Sequence, residues 1–163
     1  MTTLRLSERG PDYVIATIGT LYVTVCHRTP SMAILDAIDR TETAFLASVK
    51  VPIRSLTVIR HVVLEAPPDA AFRTKSADLM KKYAPSLVGT AQVFEGAGFG
   101  TSLIRAFVTG VTALSRNQAP TKAFGAVDAS LEWLCGLGKP DPALSDRAAV
   151  TAAIAALEPG PPA

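Results

Sequence analysis

Tyr13-Val14-Ile15-Ala16-Thr17-Ile18-Gly19-Thr20-Leu21-Tyr22-Val23-Thr24-Val25-Cys26 decides how the rest of the chain is read. Two β-branched and aromatic runs flank Gly19-Thr20, the spacing of a tight β-hairpin, so two antiparallel strands are expected to open the fold. Downstream, Thr29-Pro30 offers an N-cap followed by proline in a first helical turn. Met32, Ile34, Leu35, Ile38, Phe45, Leu46 and Val49 then recur at helical spacing, and Pro52 is expected to end that helix. Asp36 and Arg40 stand four apart on its solvent side, and Asp36, Asp39 and Glu42 read together as solvated charge.

Strand and helix alternate from there. Leu56 to Leu64 is a Val, Ile and Leu run of the kind covered on both faces, hence a central parallel strand. Pro67-Pro68-Asp69 makes a turn and a cap, and Phe72, Leu79, Met80 and Tyr83 mark a second, less apolar helix. Leu87 to Phe94 is the next long strand. A glycine-rich turn follows it, then a helix from Thr101 to Arg116 with the stripe Leu103, Ile104, Phe107, Val108, Val111 and Leu114. Lys122 to Phe124 reads as a short edge strand and Ala126 to Cys135 as a short helix. Ser145 is the expected cap of a last helix running through Leu157, and Glu158 to Ala163 is expected to fray. The alternation predicts an α/β fold: a mixed β-sheet opened by an antiparallel hairpin, continued by alternating helices and strands, with an extra C-terminal helix. Residues 1–12 read as an extension, 13–138 as the domain, and 139–163 as the C-terminal helix and tail.

The 163 residues suit one domain, and 48% of them are apolar while only 18% are charged. That balance predicts spare apolar surface for a partner, a second copy or a ligand. Sixteen Lys and Arg face fourteen Asp and Glu, scattered apart from Lys81-Lys82, which argues against nucleic-acid binding. Cys26 and Cys135 lie far apart in apolar segments, as buried free thiols of a reducing, cytoplasmic compartment would. The first residues lack the apolar run of a signal peptide, and the stretch from Phe99 to Leu114 is too short and too interrupted to span a bilayer.

This element order, with Phe124-Gly125-Ala126-Val127-Asp128-Ala129-Ser130-Leu131-Glu132-Trp133-Leu134 on the short helix, resembles the STAS superfamily of anti-sigma-factor antagonists over roughly Tyr13 to Leu134. The resemblance implies a bacterial, non-enzymatic regulatory module that docks a protein partner or itself. It also implies a phosphorylatable serine at the start of the helix after the central strand. Here that junction reads Glu65-Ala66-Pro67-Pro68-Asp69-Ala70-Ala71 and carries no hydroxyl, so the phospho-switch is not carried over. Asp69, Phe72 and Arg73 become the expected partner-binding residues, with Asp69 either imitating a phosphate or simply capping the helix.

The alternative expectation is a carrier of a lipid or an anionic metabolite. Gly96, Gly98, Gly100, Thr101 and Ser102 between a strand and a helix, with Arg105 a turn on, present backbone amides and hydroxyls suited to an anion. A plain glycine turn is the favoured explanation, because Thr101 occupies the place of the third glycine of a dinucleotide fingerprint and no P-loop lysine follows. The apolar helix beside this turn supplies a surface for an acyl chain or for packing on the sheet. Arg60 and His61 interrupt a strand and point to opposite faces, and Cys26 and His27 are adjacent in a way that separates thiol from imidazole. Two histidines without metal-ligand spacing predict no transition-metal site, and no cofactor is expected.

Overall fold

The computed structural model describes residues 2–60, 68–96 and 119–160. The chain forms an α/β structure around one six-stranded mixed sheet whose spatial order follows the sequence. Its strands are β1 (Leu4–Arg9), β2 (Tyr13–Ile18), β3 (Leu21–Cys26), β4 (Ile53–Ile59), β5 (Leu87–Phe94) and β6 (Thr121–Phe124). β1, β2 and β3 are joined antiparallel, whereas β3 to β6 run parallel. The α-helices among the described residues are α1 (Met32–Val49), α2 (Ala70–Tyr83), α3 (Val127–Cys135) and α4 (Arg147–Ala155).

The expected hairpin is present, with Ile18 opposite Leu21 across Gly19-Thr20. Gly19 adopts φ 54, a conformation that costs glycine no Cβ clash. β4 is central and parallel to both neighbours, and β6 is an edge strand on β5.

Several local expectations are corrected. Leu4–Arg9, given no element by the sequence reading, is a third antiparallel strand with a bulge between Leu6 and Glu8. It is only half covered, so its residues lack the apolar periodicity that reveals a strand buried on both faces. The N-cap of α1 is Ser31, and the helix stops at Lys50, whose left-handed φ of 55 returns its N–H to the Leu46 carbonyl before Pro52 is reached. β4 begins at Ile53 rather than Leu56, admitting the buried Arg54. Asp146, not Ser145, caps α4, accepting from Ala149 N–H at 3.0 Å, while Ser145 Oγ donates to the Pro142 carbonyl. The tail is held as far as Gly160, whose N–H donates to the Gly10 carbonyl at 2.7 Å.

The two faces of the sheet differ chemically. One is chiefly aliphatic: Val14, Ala16, Ile18, Leu21, Val23, Val25, Leu56, Val58, Ala91 and Val93 meet Val127, Leu131 and Leu134 of α3 and Val150 and Ile154 of α4. The other lies under α1 and α2, where Ile15, Tyr22 and Ile53 pack on Ala37, Ile38, Phe45 and Leu46. Its middle is polar. Thr24 pairs with Thr57 and Thr57 with Gln92, and beside that row Tyr22 pairs with Ser55 and Ser55 with Thr90. Because side chains alternate along a strand, both rows project to the α1–α2 side.

No helix among the described residues is long and apolar enough to cross a membrane. Arg54 is buried on the aliphatic face, where its guanidinium donates to the carbonyls of Leu134, Leu137 and Lys139 and to Thr20 Oγ1 at 2.6–2.9 Å. It thereby satisfies the open carbonyl end of α3 with a cation, the sign that a helix C-terminus favours.

Candidate functional site

Between the polar rows and the two helices lies a cavity of about 120 Å³. That is on the scale of the ~150 Å³ apolar cavities that admit benzene-sized molecules. Its roof is apolar: Ile34, Leu35 and Ile38 from α1, and Phe72, Leu79 and Met80 from α2. Its floor carries the Ser55, Thr57 and Thr90 side chains and Gln92, with Cys26 and Ile59 toward the carboxyl end of the strands. An apolar enclosure with a few converging polar groups is the usual make-up of a small-molecule site.

The side chain that sets this cavity apart is Glu42. It stands eight residues after Ile34 and four after Ile38, on the buried stripe of α1, and is only 4% exposed. Its reading as solvated charge is therefore corrected. The helical period carries position 42 under the helix, between Ile38 and the Phe45-Leu46 pair, whatever the chemistry of the residue there. Glu42 Oε1 has no hydrogen-bond partner, and neither has Gln92 Oε1. Each such buried oxygen costs about 1–3 kcal/mol.

Burial, reinforced by the negative charge of nearby Asp39 and opposed by Lys82, pushes the Glu42 carboxyl up to about 8. At neutral pH it is chiefly the protonated acid. Burial likewise raises the Cys26 thiol to about 12, so Cys26 lines the cavity as an unreactive small apolar group.

α1 and α2 are joined above the cavity by polar contacts at its outer rim. Lys75 pairs with Asp36, and Lys82 Nζ lies 2.7 Å from Asp39 Oδ1. The Tyr83 hydroxyl donates to the Asp39 carbonyl at 2.8 Å and shares a 2.7 Å bond with Thr43. Exposed ion pairs of this type are screened by solvent and add little to stability.

Of the residues expected to meet a partner, Asp69 caps α2 by accepting from Phe72 N–H at 2.8 Å, and Arg73 lies in its first turn. Phe72 is turned inward, 7% exposed, as part of the cavity roof, which corrects its expected place on a docking surface. The cause is again the period: Phe72 falls on the same stripe as Leu79 and Met80. Gly96 opens the glycine turn with φ 102. Gly98, Gly100, Thr101, Ser102 and Arg105, the apolar helix expected beside them, and His61 lie outside the described residues.

A second polar cluster sits at the carboxyl ends of β3, β4 and β5, formed by His27, Arg60, Glu95 and Glu158. Arg60 donates to the carbonyls of Ile154 and Leu157 at 2.6 and 2.9 Å and pairs with Glu95 at 3.5 Å. Its role is to hold the end of α4. His27 Nε2 is buried without a partner, and burial together with the Arg60 charge holds its pKa below the usual value. Among the described residues no group of three or more His, Cys, Asp or Glu is placed to hold a metal ion.

No protein-family model, curated protein or solved structure matches this chain.

Proposed function

We propose that the chain is a small-molecule-binding protein whose site is the cavity between the α1–α2 layer and the polar rows of the sheet. One observation carries this reading: a cavity with an apolar roof is lined by two side chains that each bury an oxygen without a hydrogen-bond partner. Folding leaves such groups unpaired at a cost that a bound molecule recovers. The volume suits an occupant of benzene-like dimensions, while the glycine turn expected to hold a lipid or an anionic metabolite lies, beyond Gly96, outside the described residues.

The test is a thermal-shift screen of small aromatic and aliphatic compounds against the chain and against Ser76→Phe, which fills the cavity from α2. Compounds that raise the Tm of the natural sequence but not of the filled variant support the site. Identical responses from a folded Ser76→Phe protein overturn it.

A docking role, implied by the likeness to STAS proteins, is a second proposal. It is favoured by the outer strand β1, which among the described residues pairs only with β2 and leaves Leu6 50% exposed. Light scattering across a concentration series checks the self-association form of this idea. A monomer throughout, unchanged by Leu6→Lys, counts against it.

A further inference from the structure

We infer that the cavity selects a small apolar amine, a protonated nitrogen on a benzyl-sized body, and that Glu42 and Gln92 together form the seat for its ammonium group. This rests on the reading of the cavity as a ligand site and names the chemistry of the occupant.

Gln92 Oε1 is an acceptor only, and the Glu42 carboxyl, the protonated acid at neutral pH, passes its proton to a neutral amine as it enters, or to solvent beside an ammonium, after which Oε1 accepts as well. An occupant that satisfies both must therefore bring at least two donors and should bring no acceptor to be stranded in turn. An ammonium group has three donors and no acceptor. A carboxylate offers acceptors alone, and a hydroxyl has a single proton to share between two oxygens. The ammonium also supplies the opposite charge that a buried carboxylate lacks, and a charge-assisted hydrogen bond is about twice as strong as a neutral one.

The rest of the lining fits the same occupant. Ile34, Ile38, Phe72 and Met80 suit an apolar body, and the hydroxyls of Thr57 and Thr90 on the floor can take the remaining donor. The terminal torsions of Glu and Gln are broad, so rotation about the last bond is the movement that would bring each buried oxygen toward the space its side chain lines. Among the charged groups near Glu42, Lys82 is engaged with Asp39 on the outer rim, so it does not supply the missing partner.

Calorimetric titration with four probes sharing one ring decides the matter: benzylamine, benzyl alcohol, benzoate and toluene. Benzylamine is expected to bind at least tenfold more tightly than toluene. Glu42→Gln should erase that advantage while keeping toluene binding, and Gln92→Leu, a milder change, should reduce it. If toluene, benzyl alcohol or benzoate binds as well as the amine, the amine assignment falls and the ligand cavity stands. If none of the four binds the natural sequence, both readings fall. An amine preference that survives unchanged in folded Glu42→Gln and Gln92→Leu proteins removes these two residues from the seat and overturns the inference.

Discussion

A single carboxyl on α1 accounts for most of what is unusual here. Glu42 is buried, lacks a partner for Oε1, and holds its proton to about 8 where an ordinary glutamate gives it up near 4.5. The charged and titratable groups that act on it are Asp39 on its own helix, Lys82 from α2 and Tyr22 from β3, while Tyr83 lines the same cavity. Between the two pKa values the folded state binds more protons than the unfolded chain, so stability falls as pH rises. The contribution is complete below about pH 4.5 and is lost by the time the pH passes 8. Urea unfolding at pH 5, 6.5 and 8 should therefore show the natural sequence losing stability relative to Glu42→Gln, which has no proton to lose. Parallel pH profiles for the two proteins would show that Glu42 titrates normally. Position 42 was legible as part of the helix but not as buried, because reading by residue type assigned it to solvent while the period assigned it to the core.

At the scale of elements, the strongest local signals became the structure without change. β5 runs from Leu87 to Phe94, α2 starts behind Asp69, and α3 ends where Gly136 follows Cys135. Each has a local cause: a β-branched run, a capping side chain, a glycine. The cap invites a measurement. Asp69→Ala should cost about 1 kcal/mol, or roughly 2–4 °C in Tm, while Asp69→Asn keeps most of that by preserving an acceptor for Phe72 N–H. Equal losses in both variants would mean that the negative charge at the helix start matters more than the hydrogen bond. Where local causes compete, the reading failed. Ser145 and Asp146 are both good caps, and the choice of Asp146 depends on where the preceding 3-10 turn, Pro142–Leu144, leaves the chain. β1 carries too few apolar residues to declare itself and becomes a strand because β2 offers it an edge.

Over the whole molecule, charged side chains fasten the carboxyl-terminal part to the sheet. Arg54 closes the end of α3 and Arg60 the end of α4, each through carbonyls more than eighty residues away in sequence or nearly so. Arg60→Met should leave the Ile154 and Leu157 carbonyls without their charged donor, a change of about 1.5–3 kcal/mol felt locally. Hydrogen exchange is expected to quicken by roughly tenfold or more in residues 147–157 while β3 to β5 keep their protection. Uniform loss of protection would instead make Arg60 a support of the entire fold.

Periodicity and turn chemistry were enough to determine the α/β class, the opening hairpin, the central parallel strands and most helix positions, since each depends on residues close together in the chain. The cavity was decided by tertiary structure alone. Ser55, Thr57, Thr90 and Gln92 look like isolated polar interruptions in separate strands, and only the parallel register of β4 and β5 brings them together in the cavity that Glu42 also lines. A row across a sheet is set by which strand lies beside which, and that pairing is a long-range choice no single segment encodes.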